Sequence, residues 1–206
     1  RYRDIAVVCT DMAAYQPFMD MVFHRFHIPL YRSGNEEILT TGVIATVISG
    51  LEAAVGGFEL RDVLGYLRAP LSPLDVDTCD QMENYAITWA LRGKAWAENW
   101  TGHPDGLGGV WDEDSQTRLA ALNVARTQAI DPLVRLRNRF REAVSLKQQV
   151  LGLYEFLREI SLEERLSLLS QKLEEEGEPR QAQILNQLWE ILISALEQMY
   201  DVLGQT

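Results

Sequence analysis

Ile5-Ala6-Val7-Val8-Cys9 is a short, unbroken apolar run, and its reading decides the fold expected of this chain. Small and β-branched apolar residues in continuous succession match a strand buried on both faces of a parallel sheet. Tyr15, Phe18, Met19, Val22, Phe23 and Phe26 follow at spacings of three and four, with Asp11 placed as an N-terminal cap, so a helix with a buried aromatic stripe comes next. His27-Ile28-Pro29 then leads into Leu30-Tyr31, a second short strand. Residues 1–36 therefore read as one β-α-β unit. Two strands make a poor sheet by themselves, and the unit is expected to leave an edge or apolar face that seeks partners, another copy of the chain among them.

From Glu37 the strand signal stops and the periodicity is helical, so residues 37–206 read as a helical subdomain. Val43, Ile44, Val47, Ile48, Leu51 and Val55 mark one helix, closed by Gly56-Gly57. Leu60, Val63, Leu64 and Leu67 mark another, stopped by Pro70, and Asp75 to Arg92 a third, ended by Gly93. A glycine-rich stretch at 101–110 reads as a long exposed loop. Beyond it, Asp131-Pro132 reads as a cap followed by proline in a first helical turn. Ser145 with Gln148 and Ser161 with Glu164 have capping-box spacing, and Gly177 to Pro179 breaks the chain once more. The last helix is expected to bury Ile184, Leu185, Leu188, Trp189, Leu192, Leu196, Met199 and Tyr200.

Of the 206 residues, 47% are hydrophobic and 24% charged, the composition of a folded globular protein. A net charge of -11 argues against a protein that clamps DNA phosphate over its whole surface. Cys9 and Cys79 are too far apart for a CxxC motif or a closed zinc site, which fits a reducing, cytoplasmic setting. No stretch has the ~20 apolar residues of a membrane span. The sequence opens at Arg1 without methionine and runs straight into a strand-like segment, so it is expected to be a piece of something longer.

Few residues invite chemistry. His24, His27 and His103 lack an evident nucleophile, and His103 reads as solvated. Gly106-Leu107-Gly108-Gly109 is followed by Val110-Trp111 rather than the lysine and hydroxyl of a phosphate loop, and reads as a flexible connector. Asn99-Trp100-Thr101 matches a glycosylation sequon but has no secretory signal before it. Glu174, Glu175, Glu176 and Glu178 read as a solvated helix end rather than a metal site. Trp89, Trp96, Trp100 and Trp111 could stack on bases, with core packing the favoured reading. Arg126, Arg135, Arg137, Arg139, Arg141 and Lys147 form the basic concentration of an acidic chain, and Arg135 with Arg139 and Arg137 with Arg141 share helix faces. Arg135, Arg137, Arg139 and Arg141 are the candidate nucleic-acid contacts; pairing with neighbouring carboxylates is the competing reading.

Tyr2-Arg3-Asp4-Ile5-Ala6-Val7-Val8, then a helix, then Ile28-Pro29-Leu30-Tyr31, resembles the start of the second RecA-like motor domain of UvrD-type superfamily-one helicases. Gln81-Met82-Glu83-Asn84-Tyr85-Ala86-Ile87 followed by Arg92-Gly93-Lys94-Ala95-Trp96, with the late Gln187-Leu188-Trp189, is similar to the AddB family of the bacterial AddAB helicase-nucleases. The resemblance implies a mainly α chain holding part of a RecA-like motor domain and its inserted helical subdomain, from a protein that processes double-strand DNA ends for recombinational repair. It implies no catalytic residue and no cofactor in this chain; ATP, magnesium and an iron-sulfur cluster belong to the parent complex. The implied partners are an AddA-like helicase-nuclease subunit and DNA, with no membrane. Two positions depart from the pattern: Thr10 stands where such helicases usually carry an arginine, and Ser33-Gly34-Asn35-Glu36 replaces an acidic-then-basic turn. The alternative from another class is a helical protein-protein adaptor with no nucleic-acid role.

Overall fold

The computed structural model describes residues 5–10, 12–30 and 42–202. The chain divides into two units, Arg1–Ile38 and Leu39–Thr206.

In the first unit the described residues hold one helix, α1 (Met12–Arg25). Its C-terminus closes through His27, at φ 52°, with Ile28 N–H donating to Phe23 O at 2.9 Å and His27 N–H to His24 O at 3.1 Å. The expected β-α-β unit is corrected: no strand occurs among the described residues, and no RecA-like motor domain is formed by them. Residues 5–9 are irregular, and Ile5, Val7 and Val8 are 68%, 57% and 92% exposed, the reverse of burial on two faces. The physical reason is that a strand persists only when neighbouring strands take up its N–H and C=O groups, and none of the described residues does so. The aromatic stripe is likewise unburied, with Tyr15, Phe18 and Phe26 all exposed. The expected cap Asp11, the residue Tyr31 and the segment 33–36 lie outside the described residues.

The second unit is a packed set of helices: α2 (Gly42–Val55), α3 (Leu60–Leu67), α4 (Val76–Thr88), a single 3-10 turn (Gly93–Trp96), α5 (Glu113–Glu142), α6 (Leu146–Glu159), α7 (Leu162–Glu175) and α8 (Pro179–Val202). Several boundaries follow from local chemistry. Asp75 caps α4 by accepting from Thr78 N–H at 2.9 Å, and its carboxyl is held below the usual range by the Thr78 hydrogen bonds. Gly57 (φ 86°) and Gly177 (φ 85°) supply the left-handed turns that end α2 and α7, and Pro179 opens α8 where its missing N–H costs nothing.

Two expected helix starts are corrected. Asp131-Pro132 begins nothing, because α5 runs through it from a capping box in which Asp112 accepts from Ser115 N–H at 2.8 Å and Ser115 Oγ accepts from Asp112 N–H at 2.9 Å. Pro132 removes one ladder bond, but it is buried beside Ile130, Leu133 and Leu136, whose packing holds the helix on either side. Ser161 makes no side-chain cap for α7; at φ 51° it instead turns the chain off α6, with its N–H donating to Arg158 O at 3.0 Å.

Helix α5 lies against α2, α4 and α6, while α8 packs on α7 and α6. Their shared core includes the fully buried Tyr66, Met82, Trp96, Ile130, Leu133, Leu136, Phe156, Leu157 and Leu162. Each such side chain contributes roughly 1.5–3 kcal/mol on leaving water. Helix α8 buries Leu188 and Leu196 but leaves Met199 and Tyr200 exposed, so its apolar stripe is satisfied along only part of its length. No helix of the described residues is long and apolar enough to cross a membrane.

Candidate functional site

The arginine stripe lies on the C-terminal half of α5, and the structure gives each member a different neighbour. Arg135 Nε donates to Glu159 Oε2 at 2.8 Å, and Arg139 Nη2 donates to Glu159 Oε1 at 2.6 Å. Arg139 Nε also pairs with Glu155 Oε2 at 2.7 Å. Glu155 and Glu159 are one turn apart on α6, so two arginines one turn apart on α5 meet two carboxylates with the same spacing. Burial pushes the Glu159 carboxyl up, but hydrogen bonds from Arg139 and Arg135 outweigh it and hold the group below the ordinary glutamate range. Arg137 lies over the Phe58 ring, with Cζ 5.3 Å from the centroid, and Arg141 is exposed with no ion pair or hydrogen bond among the described residues. Lys147 sits over Tyr200, 4.5 Å from its ring centre. Arg126 is buried and its role is structural, donating to Ala97 O at 3.1 Å and lying 3.4 Å from Asn123 Oδ1.

A second constellation surrounds the glycine-rich segment, which is neither loose in its bonding nor solvated at its histidine. His103 is 6% exposed. Its Nδ1 accepts from Asp105 N–H at 3.0 Å and its Nε2 lies 3.1 Å from Val110 O, a pattern satisfied by the neutral ring carrying its proton on Nε2. Tyr85 Oη donates to Gly102 O at 3.2 Å and accepts from Gly102 N–H at 2.9 Å, and Trp89 Nε1 donates to His103 O at 3.1 Å. Arg118 donates to both oxygens of Asp105 at 2.9 and 2.8 Å, which holds the Asp105 carboxyl below its usual range and raises the guanidinium further. Asn123 grips the preceding segment at Trp100, accepting from its N–H at 2.8 Å and donating to its C=O at 2.9 Å. The loop is thus pinned to α4 and α5 at its start and middle.

The tryptophans divide accordingly. Trp96 and Trp100 are core, Trp100 stacked on Tyr85 at 4.6 Å between ring centres, and Trp89 is partly buried. Trp111 is 48% exposed, its ring 4.6 Å from that of His103 in an edge-to-face contact. Among the described residues no three His, Cys, Asp or Glu side chains converge on a point where a metal could sit. Sequence reasoning missed Glu155 and Glu159 as the partners of the stripe. Their own one-turn spacing was the available signal, but nothing local said which helix face they would meet.

No family model matches the chain. Curated relatives do. Proteins named as the B subunit of an ATP-dependent helicase/deoxyribonuclease, from Clostridium botulinum, Clostridium acetobutylicum and Clostridioides difficile, are 28%, 27% and 26% identical to it, over 100%, 99% and 99% of its length. The chain spans 18% of the length of these relatives. Over essentially all of its residues, then, this chain is a homologue of the clostridial AddB proteins, the B subunits of ATP-dependent helicase/deoxyribonucleases.

Proposed function

We propose that the chain is a non-catalytic, positional part of an AddB-like protein, in a helicase-nuclease that processes double-strand DNA ends. The observation that carries this reading is the whole-length correspondence with AddB proteins, of which the chain matches a limited span. The side-chain arrangement supports it. Arg135 and Arg139, two of the four arginines of the stripe, are engaged by Glu155 and Glu159, so they brace α6 against α5. Tyr85, Trp89 and Arg118 hold the glycine-rich segment through Gly102, His103 and Asp105, and Arg126 donates to Ala97 O ahead of it. In this reading ATP, magnesium and an iron-sulfur cluster are handled outside this chain, and an AddA-like subunit is the partner of the parent. Arg141, exposed and without a partner among the described residues, and the half-buried Arg137 are the members of the stripe left to meet DNA phosphate.

The test uses the purified chain with Mg2+, ATP and a labelled duplex end. No turnover of either substrate is expected. Arg135→Ala/Arg139→Ala is expected to lower the urea midpoint while leaving DNA affinity at the wild-type level. Turnover that survives removal of trace contaminants would overturn the reading. A DNA affinity that weakens steeply with salt and disappears in the double variant would reassign the stripe from brace to phosphate contact.

A further inference from the structure

The glycine-rich segment is built around an imidazole. His103 is 6% exposed, and both of its ring nitrogens are used by the backbone of the segment that contains it: Nδ1 accepts from Asp105 N–H at 3.0 Å, and Nε2 donates to Val110 O at 3.1 Å. Gly109 lies so close to the ring that a Cβ there would stand 2.0 Å from Nδ1. The His103 carbonyl accepts from Gly106 N–H at 3.0 Å and from the Trp89 indole at 3.1 Å, and Trp111 meets the ring edge-to-face. A spacer has only to join one helix to the next. This one is closed on the side chain type whose donor and acceptor pattern changes between acidic and neutral pH.

The closure works only while the ring keeps one acceptor. A second proton, taken from solvent, can go only to the Nδ1 lone pair that Asp105 N–H occupies, after which Nδ1–H and Asp105 N–H face each other as two donors without an acceptor. The charged groups around the ring come from two sides. Within the segment, Asp105 Oδ2 lies 3.8 Å from Nδ1. From α5 and its cap, Arg118 holds both oxygens of Asp105 and pairs with Asp114 at 3.0 Å, while the Asp112 carboxylate is engaged by Ser115 N–H. Helix α4 contributes the Tyr85 phenol and, at its C-terminal end, the Trp89 indole, bonded to the backbone of Gly102 and His103. The acceptor within reach of an imidazolium is therefore the Asp105 carboxylate, and presenting it requires the Asp105 backbone to leave the ring and Arg118 to share its partner. We propose that His103 is a proton-operated latch: the neutral ring holds residues 103–110 closed, and protonation at Nδ1 releases Asp105 and opens the segment that carries the exposed Leu107, Val110 and Trp111. The inference goes beyond the positional reading of the chain and does not rest on it.

The experiment follows amide hydrogen exchange and imidazole NMR of the full 206-residue chain between pH ~5 and ~7.5, the range in which histidine ordinarily changes charge. Protection is referenced at each pH to the exchange of an unstructured chain. The Asp105 amide is expected to lose at least roughly tenfold in protection on acidification, in step with the titration of the His103 ring, while the amides of Leu133 and Leu136 in α5 keep theirs. His103→Asn places a non-titrating oxygen where it can accept from the N–H two residues on, and its Asp105 protection is expected to stay within about twofold across the range. Wild-type protection that does not change with pH, a loss out of step with the ring titration, an equal loss in His103→Asn, or a loss shared by Leu133 and Leu136 would overturn the proposal.

Discussion

Glu159 shows how one side chain can be set by its neighbours rather than by its exposure. Partial burial disfavours its charge, yet two guanidiniums donate to it and the balance falls on the ionised side. A carboxyl whose folded pKa lies below its unfolded value stabilises the protein fully above the unfolded value, near ~4.3 for glutamate, and that contribution fades as pH falls toward the folded value. Glu159→Gln should therefore unfold at lower urea than wild type at pH ~7, with the gap narrowing below pH ~4. Urea midpoints measured across that range check the sign. A gap that widens on acidification would mean that the arginines do not govern this group. The pairing also explains why the stripe could be recognised from spacing alone while its purpose could not: Arg135 and Arg139 are four apart in sequence, but Glu159 lies twenty or more residues away.

At the scale of elements, helix ends carry most of the local information, and one of them carries a correctable strain. Helix α4 ends through Ala90 at φ 48°, with Leu91 N–H donating to Ala86 O at 2.9 Å and Ala90 N–H to Ile87 O at 3.2 Å. This is the turn that Gly57 and Gly177 make without a Cβ. An L-residue there costs roughly 1–2 kcal/mol, of which glycine's extra unfolded-state freedom returns about 0.5–1. Ala90 is exposed, so no packing is lost on substitution. Ala90→Gly is expected to raise the melting temperature by about 1–3 °C, read by calorimetry. A lowered melting temperature would show that the turn is not the constraint it looks to be. Gly93 reads from sequence as the stop of this helix; the chain in fact leaves helical geometry at Trp89, because the left-handed turn at Ala90 is made available by the tertiary anchoring of Leu91 rather than by a residue suited to it.

For the whole molecule, what matters is how closely distant segments approach. Gly50, inside α2, faces Phe156 of α6 and Tyr66 of α3; a Cβ there would sit 2.9 Å from Phe156 Cζ and 3.4 Å from Tyr66 Cδ2. Both rings are fully buried and have little room to retreat. Alanine would gain about 1 kcal/mol of helix propensity but meet an overpacking cost of about 1–3, so Gly50→Ala should destabilise the fold on balance. Equilibrium unfolding decides it, and a stabilised variant would mean that α2 and α6 can move apart. The helical course of residues 42–202 and several of its breaks at Gly56-Gly57, Asp75, Ser145 and Gly177-Pro179 were determined by the sequence itself, because periodicity, caps and glycine turns act over a few neighbouring residues. Tertiary structure alone decided that Ile5 to Cys9 forms no strand, that α5 continues through Pro132, that the glycine-rich segment is fastened down, and that the arginine stripe faces carboxylates. Each of these outcomes rests on whether a backbone or charged group finds its partner on a segment remote in the chain, and no window of local sequence contains that partner.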